Sequence, residues 1–92
     1  MAEPIDRGEI TAHDINLAVR RLQKEVAENL NVKGSGAFVS RYEIVGAVAR
    51  ELWELQQAID IRRLDIFANE LLDIAVCCIV GLAGIEAGMT DF

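Results

Sequence analysis

Residues 71–85 read LLDIAVCCIVGLAGI, and Asp73 is the only charge among them. Glu70 stands one turn earlier. A helix that is apolar over most of its circumference must be covered on nearly all sides, so this stretch predicts a buried helix over residues 66–86. Three helices cannot easily surround one of themselves, and a second subunit is therefore expected to complete the cover. An unpartnered ionised carboxylate inside such a helix costs several kcal/mol. Asp73 therefore marks a site rather than a solubilising residue.

Working outward, the stretch IVGAVARELWELQQAI carries Glu51 and Glu54 at the same i, i+3 spacing inside another largely apolar run. Ile44, Val45, Val48, Leu52, Leu55 and Ile59 recur at helical intervals and predict a second helix over 41–62. Ser40 is its expected N-cap, with Glu43 completing a capping box. Arg62 and Arg63 suit the negative end of its dipole. Ile15, Val19, Leu22, Val26 and Leu30 predict a first helix over 11–31, with Arg20, Lys24 and Glu28 on its solvated side. Residues 32–40, with two glycines and two serines, read as a loop. Asp65 is the expected N-cap of the third helix, and residues 1–10 form a tail holding the single proline, Pro4. The expectation is one all-α domain of three helices. The second and third form an antiparallel pair joined by a short connection, building a four-helix bundle with a second copy.

The composition sets bounds on function. Ninety-two residues with 52% hydrophobic content and a net charge of −6 make a small domain that gains core by self-association. The acidic balance argues against a nucleic-acid polymer, whose backbone demands clustered Lys and Arg. It leaves room for a nucleotide, because a cation can neutralise phosphates in place of basic side chains. The N-terminus has no basic and apolar signal pattern. The longest uncharged stretch, residues 74–85, is twelve long, short of the ~20 that span a bilayer. Adjacent Cys77 and Cys78 read as reduced core thiols, so the chain is expected to be cytoplasmic and not membrane-bound. With no CxxC and no His cluster, zinc is not expected.

Residues three apart on a helix lie about 60° from each other, so each acidic pair projects from one side of its helix. Antiparallel packing brings the two pairs face to face, with the small residues Ala47, Ala58 and Cys77 leaving room beside them. Two carboxylates about 5 Å apart repel by roughly 3 kcal/mol at an effective dielectric near 20, and a divalent cation removes that conflict. An all-oxygen set favours Mg2+, Mn2+ or Ca2+. Glu51, Glu54, Glu70 and Asp73 are thus the candidate metal ligands. Lys33, Arg41, Arg50, Arg62 and Arg63 are candidate phosphate contacts, and Phe38 and Tyr42 candidate surfaces for a base to stack on. His13 reads as a surface or capping residue. Trp53 points away from the acidic side and reads as core or subunit interface.

Glu51-x-x-Glu54, fifteen residues, then Glu70-x-x-Asp73 resembles the ExxE…ExxD signature of the MazG-like all-α nucleotide pyrophosphohydrolases. The segment FVSRYEIVGAVARELWEL is also similar to a small, often phage-related group of that family, and the resemblance spans about residues 33–85. It implies that the four acids coordinate Mg2+ (Mn2+ substituting) and that the substrate is a nucleoside triphosphate. The implied reaction cleaves between the α and β phosphates to give a monophosphate and pyrophosphate. It further implies dimers or dimers of dimers, with Glu51 and Glu54 as catalytic carboxylates. Lys33, Phe38, Arg41 and Arg63 are then candidate substrate contacts. The chain departs from the pattern at two points. Arg50 stands where many relatives carry a further glutamate, so additional metal ions and a base at that position do not carry over, and the resemblance leaves room for a weakened or inactive member. Tyr42 stands where the phage-like group has histidine. The competing expectation is a non-catalytic helical interaction module whose acids pair with a partner's basic groups.

Overall fold

The computed structural model describes residues 6–92, so the start of the expected tail, Pro4 included, lies outside the described residues. Three long helices and one 3-10 turn account for about three quarters of the described chain: α1 (Ala12–Lys33), α2 (Arg41–Gln57), the 3-10 turn (Ala58–Asp60) and α3 (Leu64–Glu86). There is no strand among the described residues.

The helix ends explain where these bounds differ from the sequence reading. Thr11 caps α1 reciprocally with Asp14: its hydroxyl accepts the Asp14 N–H, and the Asp14 carboxylate accepts the Thr11 N–H at 2.9 Å. Those hydrogen bonds hold the Asp14 carboxyl below its ordinary pKa. The helix runs two residues past the expected end and stops at Gly34, whose φ of 88° suits a residue without Cβ. Ser40 caps α2 as expected, accepting the Glu43 N–H at 3.2 Å. The return bond of the capping box instead lands one residue earlier, with Glu43 accepting from the Val39 N–H at 3.1 Å. α2 tightens into the 3-10 turn after Gln57 and Ile61 is extended, so the helix stops short of residue 62. α3 starts at Leu64 rather than 66. Its N-cap is Arg63, not Asp65. Asp65 sits inside the first turn, bound by the Arg63 guanidinium, and its charge complements the helix N-terminus.

α3 is the central element. It packs against both α1 and α2, whereas α1 and α2 do not meet. The contact with α2 is close: a Cβ placed on Gly81 would lie 3.2 Å from Ile44, so glycine lets the two helices approach. After α3 the chain folds back as a strap. The Thr90 hydroxyl donates to the Phe38 carbonyl at 2.7 Å, the Asp91 N–H to the Val39 carbonyl at 3.0 Å, and the Arg41 N–H to the Phe92 carbonyl. These bonds tether the loop before α2 to the end of α3.

The apolar core of this protomer is small. Among the described residues only Ala58 and Val76 are buried apolar side chains, while nineteen large apolar residues are exposed. Trp53 is among the exposed, which removes the core alternative for it. α3, 23 residues with a mean hydropathy of 2.0 over its most apolar window, is long and apolar enough to cross a membrane by length and composition. The uncharged run is shorter because Glu70 and Asp73 interrupt the helix.

Candidate metal centre

Because α1 and α2 flank α3 without touching, a cleft of about 410 Å³ remains between them. α3 forms its floor with Asp73, Val76 and Cys77. α2 forms one wall with Arg50, Glu51 and Glu54, and the end of α1 forms the other with Glu25, Glu28, Asn29, Val32 and Lys33. The helical spacing of the sequence leads directly to this result. Residues 51 and 54 share one side of α2, and the antiparallel α3 turns Asp73 toward them.

Glu51, Glu70 and Asp73 each contribute a carboxylate oxygen to a group in which all three atoms lie within 4.8 Å of one another. Two helices thus converge three acids that repel in the absence of a cation. Burial pushes the Glu51 carboxyl above the usual carboxylate range, and the neighbouring carboxylates of Glu54 and Asp73 push it the same way against Arg50. Asp73 is exposed in this protomer rather than enclosed as its apolar sequence neighbours suggested, because α1 and α2 leave the cleft open above it. Partial desolvation still raises its carboxyl first, then the charge of Glu54, with Lys33 opposing. One oxygen of Glu70, Oε2, is closed off from solvent and has no hydrogen-bond partner. A buried acceptor left unpaired costs about 1–3 kcal/mol, and a cation at the centre of the three acids would satisfy it. The donor set and the orphaned oxygen therefore fit a hard divalent ion.

Glu54 lines the same cleft but is not one of the three converging acids. Its carboxylate is 3.7 Å from the Arg50 guanidinium, one helical turn earlier. Of the candidate substrate contacts, Lys33 lies on the cleft wall, brought there because α1 extends to that residue. Arg41 lies instead beside the C-terminal strap, near Ile85, Thr90 and Phe92. Arg63 is committed to Asp65 at the start of α3. Phe38 is half-buried with its carbonyl held by Thr90, Tyr42 is exposed, and neither lines the cleft. His13 is exposed in the first turn of α1, where Thr11 does the capping.

The contribution of α1 to the site was not foreseen. Glu28 has the exposure expected of a solvated residue, yet it borders the cleft together with Glu25 and Asn29. The available signal was the Glu25-x-x-Glu28 spacing, which repeats the i, i+3 pattern of the other two acidic pairs. Cys77 also reaches the cleft. Burial and the charge of Glu51 push its thiol pKa up, which favours the neutral thiol on the cleft wall. Comparison with protein-family models, with curated proteins and with solved structures finds no match to this chain.

Proposed function

We propose that this chain is a Mg2+-dependent nucleotide pyrophosphohydrolase, cleaving a nucleoside triphosphate between its α and β phosphates. The observation that carries the reading is the convergence of Glu51, Glu70 and Asp73 around the unpartnered Glu70 oxygen. Mg2+, when bound there, supplies charge neutralisation for phosphate oxygens and lowers the pKa of an attacking water. The protein residues supply the rest. Glu51, Glu70 and Asp73 hold the ion, and Glu54 is assigned the proton because it lines the cleft outside the converging three. In the reaction a water oxygen bonds to phosphorus as the α–β bridging bond breaks. The water proton passes to the carboxylate and the electron pair leaves on pyrophosphate. Lys33 is the basic residue assigned to the departing phosphates, and a second copy of the chain is expected in the working assembly.

One observation favours a second reading. Arg50 already engages Glu54, as it would in a helical interaction module whose acidic site has lost its chemistry. A panel of ordinary and damaged ribo- and deoxynucleoside triphosphates, incubated with Mg2+ or Mn2+, separates the two. The enzyme releases pyrophosphate rather than orthophosphate from at least one of them. That release falls at least a hundredfold in Glu51→Gln and Asp73→Asn. Release from none of the panel with either ion favours the module.

A further inference from the structure

The cleft carries far more negative than positive charge. Glu25, Glu28, Glu51, Glu54 and Asp73 line it, and among the described residues Arg50 and Lys33 are the only basic ones on its walls. They stand on opposite sides, Arg50 on α2 and Lys33 at the end of α1, with Asp73 of the metal centre on the floor. Other arginines are bound locally. Arg63 gives Asp65 two hydrogen bonds, and Arg21 gives Asn69 one at 2.6 Å. Arg50 differs. Its closest approach to Glu54 is Nε to Oε1 at 3.7 Å, beyond hydrogen-bond reach, and its side chain is 78% exposed. The order of the pair weakens it further, because a cation one turn before a carboxylate is the less favourable arrangement on a helix. An exposed pair of this kind contributes little and opens at little cost.

We propose that Arg50 is the phosphate clamp of this cleft: its guanidinium rests on Glu54 in the empty site and transfers to a phosphoryl oxygen when a nucleotide binds, leaving the Glu54 carboxylate to the attacking water. The ligand class rests on the phosphohydrolase reading above. A phosphoryl group presents two oxygens to the planar fork of a guanidinium, forming paired charge-assisted hydrogen bonds. Glu54 offers Arg50 no hydrogen bond to lose. The exchange therefore runs toward phosphate. Arg50 directly precedes Glu51 and shares the cleft wall with it, within reach of phosphates held at the metal centre. In-line displacement sets the attacking water and the leaving group on opposite sides of phosphorus. Glu54, assigned the water proton, and Lys33, assigned the departing phosphates, stand on opposite walls. Arg50 shares the wall of Glu54, so it serves the phosphoryl group under attack.

The test is calorimetric titration of the full chain, in saturating Mg2+, with inorganic triphosphate whose bridging oxygens are replaced by methylene. Neither a base nor turnover then enters the result. Wild type is expected to bind this probe, and Arg50→Gln to bind it about tenfold more weakly or worse. Arg50→Lys, which keeps the charge and loses the fork, should fall between them. Exchange has a further signature that a structural arginine lacks. Glu54→Gln should improve binding about two- to fivefold more with Arg50 present than in the Arg50→Gln background, because only with Arg50 must the pair open. The Mg2+-induced rise in melting temperature should be at least as large in Arg50→Gln as in wild type. Its loss would make Arg50 structural and overturn the clamp, as would equal affinity of the two proteins for the probe. Equal gains from Glu54→Gln in both backgrounds overturn the exchange. A wild-type protein that binds no probe overturns the clamp together with its premise. Pyrophosphate release from the nucleotide panel is read on the same wild-type sample. Its absence, where the Arg50 variants behave as expected, contradicts the hydrolase reading alone.

Discussion

Asp73 and Glu51 are held above the ordinary carboxylate range by burial and by neighbouring negative charge. The folded state without a cation therefore binds protons more tightly than the unfolded chain does. Stability follows the difference in bound protons, so in metal-free buffer it should fall as pH rises from about 4 through the raised pKa values of these two groups. Saturating Mg2+ should flatten or reverse that slope, because the ion competes with the protons. Thermal melts across pH 4–7.5, with and without chelator, check the sign. A metal-free melting temperature that climbs through this range would contradict it. Asp73 was legible in the sequence because a single charge in an apolar run demands an explanation. Arg41 and Arg63 were not, because a basic residue near an acidic motif in sequence can be claimed by local partners, here the strap and Asp65.

At the scale of the elements, the three helices follow from periodicity and from the caps at Thr11 and Ser40. The ends that differed were decided by features periodicity does not encode: the glycine at 34, the 3-10 tightening after Gln57, and an uncapped Arg63 start. The strap of residues 89–92 escaped because its bonds run largely to backbone carbonyls 50 or so residues away, which leave no local pattern. Glycines on the two packed helices give opposite expectations. Gly46 is exposed within α2 and an added Cβ meets nothing, so Gly46→Ala should stabilise by about 0.5–1 kcal/mol. Gly81 faces Ile44 at close range. Gly81→Val forces α2 and α3 apart and should cost about 1–3 kcal/mol. Urea unfolding of both variants measures the pair, and equal effects would mean that the contact between α2 and α3 is not tight.

At the scale of the whole molecule, one central helix serves two surfaces, with carboxylates toward the cleft and an exposed apolar face on the opposite side. The sequence showed that α3 must be covered and pointed to a second subunit as the cover, but not which face of the helix stays open, since that depends on where α1 and α2 pack. The same architecture gives the cation a direct readout, because an ion that binds only the folded state stabilises it. At ten times its Kd the gain is about 1.4 kcal/mol, or a rise of about 6–11 °C in Tm for a domain of this size. The decisive measurement is the Tm of wild-type protein and of Asp73→Asn, each with chelator and with millimolar Mg2+ or Mn2+. The expected result is a rise of that order in the wild type and none in Asp73→Asn, whose metal-free Tm equals or exceeds that of the wild type. Identical wild-type melts with and without the ions would contradict a cation site at Glu51, Glu70 and Asp73.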